Sequence, residues 1–325
     1  MKTIERSLEL NRFTDEEDAR KFLETKRWPD GPVCPHCGEI NNSYQLKAKE
    51  SKKGTHGRKG LWKCAGCREQ FTVTVGTVFE DSHVPLNRWL LAIHLLCASK
   101  KGMSAHQLFR MMGSFYGRKG SYKTAWFMFH RLRFAMTQHP FTDKLKGIVE
   151  VDETWVGPKE KGSGFRGAGN LLSKKRPVVS LMERSATGSR VRSFPVDRVT
   201  VENVKPIMKE HVEVGTVIQT DEAAIYHWVD FPDHDIVTHA KKEYSRYENG
   251  RHITTNTVEG YFGLFKRGIY GTYHHIGRGY MQQYLNEFDF RYNNRKLTDL
   301  ERADLAIKAT EAKRLTLRQP KSALA

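Results

Sequence analysis

Apolar residues recur along this chain first at helical and later at strand spacing, and the change of period divides it. Within residues 1–30, Phe13, Phe22 and Leu23 stand among acids and bases. This predicts one amphipathic helix leading to Pro29-Asp30-Gly31-Pro32, a cluster that breaks regular structure. Phe71, Val73 and Val75 alternate with Thr72 and Thr74, the period of two that predicts a strand. Behind Pro85, the residues Leu86, Trp89, Leu90, Ile93 and Cys97 predict a helix ending near Gly102, with Cys97 a core thiol on its apolar stripe. Ser104-Ala-His-Gln107 fits a capping box ahead of Leu108, Met111 and Met112. A further helix is predicted from Ser121 through Met136, apolar at Ala125, Trp126, Phe129, Leu132 and Met136 and basic at Lys123, Arg131 and Arg133. Helix, turn and basic amphipathic helix is the pattern of a DNA-reading helix-turn-helix, in which those three bases are candidate DNA contacts. Two ordinary core helices share the pattern.

From about residue 145 the spacing becomes that of alternating strands and helices. Strands are predicted at 147–152, 177–182, 191–196, 216–220 and 236–239, with a helix from Thr200 to Val212 and another after Asn256. A last helix holds Tyr284, Leu285, Phe288 and Tyr292, with Arg291 and Arg295 on a basic edge. This order predicts a mixed sheet flanked by helices. Between the first two strands, Gly157 to Arg176 is rich in Gly, Lys and Arg and reads as a loop.

Charge and cysteines alter this picture. The 325 residues carry 54 Lys+Arg against 37 Asp+Glu, a formal +17 whose field attracts polyanions, nucleic acid first. Membrane is disfavoured, because the longest apolar stretch, Leu90 to Ala98, is interrupted by His94 and falls short of the roughly 20 residues a spanning helix needs. The charged start Met1-Lys-Thr-Ile-Glu-Arg lacks a secretory pattern, so a cytoplasmic protein is expected. Four of the five cysteines form two CxxC pairs, Cys34-Pro-His-Cys37 and Cys64-Ala-Gly-Cys67. Four thiolates at that spacing close the shell of one structural Zn²⁺, leaving His36 as a surface residue. The basic, Gly-rich stretch from Lys47 to Gly60 between the pairs is either a solvated hairpin tip or an arm for backbone phosphates. Four segments are expected: 1–82 with the helix and ribbon, 83–142 helical and DNA-binding, 143–300 catalytic, and 301–325 a basic tail.

Acidic residues supply the candidate chemistry. Transfer at a phosphodiester needs in-line attack, and a pair of divalent ions stabilises the entering and leaving oxygens. Oxygen ligands suit Mg²⁺ or Mn²⁺. Asp152 and Asp221 end two predicted strands, and Glu259 lies on the helix after Asn256-Thr-Val. Lys266, two turns beyond Glu259 and on its face, is positioned for a DNA phosphate. Glu150 shares the face of Asp152 in a strand, whereas Glu153 points to the opposite one, and Glu222 is the rival to Asp221. His239 either supports a carboxylate, contacts DNA or is structural; Tyr270, Tyr273, His274 and His275 either stack on bases or pack at a helix end.

With these motifs together, the chain resembles the bacterial insertion-sequence DDE transposases of the branch with an N-terminal zinc ribbon. The likeness rests on Cys34-Pro-His-Cys37-Gly38, Trp62-Lys-Cys64-Ala-Gly-Cys67, Lys123-Thr-Ala-Trp126, Val151-Asp152-Glu-Thr and Gln219-Thr-Asp221. Above all it rests on Asn256-Thr-Val-Glu259-Gly-Tyr-Phe-Gly-Leu-Phe-Lys266-Arg267-Gly-Ile-Tyr-Gly-Thr-Tyr-His. The resemblance implies a multi-domain α/β protein: a zinc ribbon plus helix-turn-helix, then an RNase H-like (retroviral integrase-like) catalytic domain. It implies two Mg²⁺ or Mn²⁺ ions held by Asp152, Asp221 and Glu259, with Lys266 as the matching base, Arg267 beside it on DNA, and Asn256 as the alternative third ligand. It further implies double-stranded DNA partners, both transposon ends and target, and a homodimer or higher oligomer on paired ends. The segment Ser114 to Gly120 is longer than usual between the two helices.

Overall fold

The computed structural model describes residues 11–47, 59–113, 121–137, 143–157, 175–185, 188–227, 231 and 233–315. The expected Lys47–Gly60 and Gly157–Arg176 loops, the 114–120 segment and the tail beyond 315 lie wholly or mostly outside them. The chain divides into two units, one within Met1–Ser99, Ala105–Met136 and Leu297–Ala325, the other within Lys100–Ser104 and Thr137–Lys296.

In the first unit, Asp15 caps helix α1 (Glu16–Arg27), its carboxylate accepting from the Asp18 N–H at 2.9 Å. Acids open that helix and Lys26 and Arg27 close it, each complementing the helix dipole. Three short antiparallel strands, β1 (Ser43–Gln45), β2 (Trp62–Cys64) and β3 (Gln70–Phe71), form the ribbon. Trp28 meets Trp62 and Phe71 edge-on at 5.9 and 5.8 Å, which joins α1 to the ribbon. The strand expected through Val75 stops at Phe71. Phe71, Thr72 and Val73 are buried in succession, and the Val73 and Val75 carbonyls accept from the Arg27 guanidinium, not from a neighbouring strand.

Helices α2 (Leu86–Ala98), α3 (Ala105–Gly113) and α4 (Tyr122–Ala135) follow. The expected apolar stripe is the buried face of α2, Cys97 included. The expected basic face of α4 needs correction. Arg131 and Arg133 are 9% and 1% exposed, so neither faces a phosphate. Arg131 donates to the Val78 carbonyl at 2.7 Å and the Leu315 carbonyl at 3.0 Å, and the Arg133 guanidinium lies over the Phe129 ring. Lys123 is exposed. The expected tail also departs from expectation. Thr298 and Glu301 form a capping box that starts α8 (Asp299–Lys308), whose Ala303, Ala306 and Ile307 are buried, and Arg302 donates to the Cys97 carbonyl at 2.8 Å.

The second unit is a five-stranded mixed sheet in the order β6-β5-β4-β7-β8. Its strands are β4 (Ile148–Val156), β5 (Arg176–Arg184), β6 (Arg190–Pro195), β7 (Val217–Asp221) and β8 (His234–Val237). The first three pair antiparallel, while β4–β7 and β7–β8 are parallel. A parallel step needs a crossover, which α5 (Val201–His211) supplies between β6 and β7. On one face Val149, Val151, Val179 and Leu181 pack with Val204 and Met208 of α5. On the other, Val156, Val178 and Met182 pack under α6 (Asn256–Gly268) and α7 (Met281–Asn293). A hairpin of β9 (Ser245–Glu248) and β10 (Arg251–Thr254) leads into α6. No helix among the described residues is long and apolar enough to cross a membrane.

Candidate active site and metal centre

In the ribbon, the residue after each cysteine pair, Gly38 or Arg68, has positive φ (80° and 63°), which turns the chain back on itself. The first cysteine of each pair then donates its N–H to a carbonyl beyond the turn, Cys34 to Glu39 and Cys64 to Glu69. The two loops bring Cys34 Sγ to 3.7 Å from Cys67 Sγ and Cys37 Sγ to 3.6 Å from Cys64 Sγ. A tetrahedron with Zn–S bonds of about 2.3 Å has edges of about 3.8 Å. All four sulfurs lie within 4.8 Å of one another, so the cysteines fit a structural zinc. The Glu69 backbone favours the Cys67 thiolate, but burial and the S–H groups of Cys37, Cys34 and Cys64 outweigh it and push the thiol up to about 12. A dication relieves that crowding.

In the second unit, alternation along β4 sends Val149 and Val151 toward α5 and Glu150 and Asp152 toward α6. Asp221 ends β7, the parallel neighbour of β4, and Glu259 lies in the first turn of α6. Burial pushes the Asp152 carboxyl well above its ordinary range. The charges of Glu153, Asp221 and Glu259 push it further, against the Glu153 N–H donated to Asp152 Oδ1 at 2.7 Å. Burial also raises Asp221, opposed by the Ala223 N–H at 3.0 Å and by His239, and reinforced by Glu222. The acids thus sense one another, yet among the described residues only the four cysteines have ligand atoms all within 4.8 Å. Two half-buried carboxylates beside an exposed third, raising the pKa of Asp152, are a donor set suited to a hard divalent cation.

The rival acids have other partners. Glu150 is fully buried, accepts from the Val258 N–H at 2.8 Å and pairs with Arg184 Nε at 3.2 Å. Glu153 accepts from the Tyr226 hydroxyl within the α5-side core. Glu222 accepts from the His239 and Ala240 N–H groups at 2.6 and 3.0 Å, and these amides outweigh burial to lower its pKa.

Glu259 accepts from Thr255 Oγ1 at 3.2 Å and faces His239 Nε2 at 3.3 Å. Asn256 is exposed one turn earlier. Lys266 is half-buried, and burial lowers its pKa while Asp152 holds it up. Arg267 is exposed. Of the aromatic group, Tyr273 donates to Glu287 at 2.6 Å and packs edge-on against Tyr284 and Phe288, the packing role. Tyr270, His274 and His275 are exposed. On α7, Arg291 is not at an exposed edge, being 9% exposed and paired with the fully buried Glu287. Arg184 and the β9–β10 hairpin lie outside the residues and elements expected from the sequence. The hairpin's signal was Asn249-Gly250, both at positive φ (51° and 74°), the pair a type I′ turn requires.

Residues 144–293 match the ISXO2-like transposase domain, and residues 14–70 match the transposase zinc-ribbon domain. Over 301 residues the chain is 26% identical to the uncharacterized protein in transposable element ISH50 of Halobacterium salinarum, covering 87% of this chain and 92% of that one. Among solved structures, the Drosophila P element transposase strand transfer complex is similar at a TM-score of 0.25 and 11% identity, over 62% of this chain and 55% of that chain.

Proposed function

The chain belongs to the insertion-sequence transposases with an N-terminal zinc ribbon, and we propose that it acts at the ends of its own element. It binds the terminal inverted repeats of its element, cleaves there by metal-dependent hydrolysis and joins the freed 3′-hydroxyl to target DNA. The observation carrying this reading is the convergence of three acids, Asp152 midway along β4, Asp221 at the end of its parallel neighbour β7 and Glu259 in the first turn of α6, close enough that the last two raise the pKa of the first. The strand order, three antiparallel strands followed by two parallel ones, supports an RNase H-like catalytic unit.

In this proposal Asp152, Asp221 and Glu259 hold two Mg²⁺ or Mn²⁺ ions, which supply charge stabilisation to the attacking and leaving oxygens of an in-line displacement. Lys266, beside Asp152, meets the phosphate next to the cut, and Arg267 extends that contact along the backbone. Asn256 takes the third position only if Glu259 does not. Helices α3 and α4 act as a helix-turn-helix, and Lys123, exposed beside the Tyr122 ring stacked on His106, contributes a phosphate contact. Two or more copies assemble on paired ends, in the cytoplasm at the nucleoid.

The test incubates purified full-length protein with Mg²⁺ and a labelled duplex ending in the inverted repeat that flanks its gene. The expected result is a cut at the repeat's end, lost in Asp152→Asn with end binding retained. Binding without cutting in either Mg²⁺ or Mn²⁺ points instead to a DNA-binding regulator.

A further inference from the structure

Beneath the acids lies a buried polar chain that the transposase reading leaves without a task. Glu150 stands two residues before Asp152 and Gln219 two before Asp221, and the two are direct partners across the parallel β4–β7 pair. Residues two apart in a strand share a face, so this pair underlies the two aspartates by one pleat. Both are fully buried. Arg184 joins them: Nε lies 3.2 Å from Glu150, and its terminal amine donates to Gln219 Oε1 at 2.8 Å and to the His252 carbonyl at 2.5 Å.

The other ends of this chain reach the segment that carries Glu259. Glu150 accepts the Val258 N–H at 2.8 Å, in the first turn of α6. Gln219 Oε1 accepts the Thr254 N–H at 3.2 Å, and its amide donates to Asp235 at 3.2 Å and to the His252 carbonyl at 3.3 Å. Three strands, β4, β5 and β7, and the entry to α6 are thereby tied through three side chains.

We propose that Glu150, Arg184 and Gln219 are positioning residues that fix the start of α6, and so Glu259, in register with Asp152 and Asp221 for divalent-metal binding. A buried ion pair is a poor source of stability compared with apolar packing, whereas it fixes geometry. Groups that orient metal ligands typically alter metal affinity or activity by about 10–100-fold when removed. The inference rests on the metal-dependent reading above.

The test uses full-length protein. Mn²⁺ binding to Glu150→Gln, Gln219→Leu and Arg184→Lys is followed by electron paramagnetic resonance of free Mn²⁺, beside thermal unfolding by circular dichroism and the Mg²⁺ dependence of end cleavage. Glu150→Gln keeps an acceptor for Val258, and Arg184→Lys keeps a charge facing Glu150, so a folded variant remains available if Gln219→Leu unfolds. The expected result is Mn²⁺ bound about 10-fold or more weakly, and a matching rise in the Mg²⁺ needed for half-maximal cleavage, in variants that unfold cooperatively and bind ends normally. If the variants differ from the unsubstituted protein in unfolding temperature alone, with the same Mn²⁺ affinity, the three residues are structural and the proposal is overturned. If the unsubstituted protein neither binds Mn²⁺ nor cleaves, the functional reading falls and this inference falls with it.

Discussion

His239 is gripped at two points by two different acids: Glu222 accepts its backbone N–H at 2.6 Å, and Glu259 faces its ring Nε2 at 3.3 Å. Its ring therefore stands between a carboxylate of the proposed catalytic trio and a turn pinned by a carboxylate next to Asp221. His239→Ala removes a neighbour that holds down the pKa of Asp221 and leaves Glu259 with Thr255 alone. We expect end cleavage to fall about 10-fold or more, with end binding and unfolding temperature nearly unchanged. Unaltered cleavage would show the histidine to be a bystander.

The ribbon gives a prediction independent of catalysis. Trp62 lies two residues before Cys64 in β2 and meets Trp28 edge-on, so loss of the metal alters the surroundings of two fluorophores. Structural zinc contributes on the order of 10 kcal/mol to such small folds. Cys64→Ala, or prolonged chelation, is expected to take bound zinc from one ion per chain to background, measured by elemental analysis, with tryptophan emission shifting to the red. A protein purified without zinc and with unchanged emission would contradict the assignment.

Away from both sites, Asp289 accepts from the Ser193 N–H and hydroxyl, each at 2.8 Å, and from the Tyr261 hydroxyl. Burial raises its carboxyl to about 7 against the pull of Tyr261, Ser193 and Arg192. The folded chain therefore keeps this proton over a range where the unfolded chain has lost it, and stability falls as pH rises from about 4 to about 7. Compared with Asp289→Asn, the natural protein should lose about 2 kcal/mol of unfolding free energy between pH 5 and pH 8, measured by urea denaturation. Parallel pH profiles for the two would rule this out.

Most of the fold was legible where periodicity was strong. The alternation at Val149 and Val151 and the stripe at Trp89, Leu90 and Ile93 each gave the observed element, because burial of one face dictates the period. Legibility failed where side chains serve partners remote in sequence. Arg131 and Arg133 read as a basic face, but their partners are carbonyls and an aromatic ring inside their own unit. The 301–325 segment read as a basic tail, although Thr298 and Glu301 carried the signature of a helix start. At the candidate site, the elements that carry the acids were readable, and Asp221 ends its strand as expected, but β4 runs on to Val156 and leaves Asp152 in its middle. What links Glu150 to Val258 and Gln219 to Thr254 was not, since only the packing of the entry to α6 against the sheet brings those positions, remote in sequence, together.

If Asp152, Asp221 and Glu259 jointly carry metal-dependent DNA joining, removing the charge of one of them abolishes joining while end binding persists. Labelled inverted-repeat ends, Mg²⁺ and a supercoiled target plasmid are incubated with the natural protein, Glu259→Gln and Asn256→Ala. Covalently joined ends are expected with the natural protein and with Asn256→Ala, and none with Glu259→Gln although it still binds the ends. Joining by Glu259→Gln at the natural rate, or its loss in Asn256→Ala alone, would remove Glu259 from the catalytic trio.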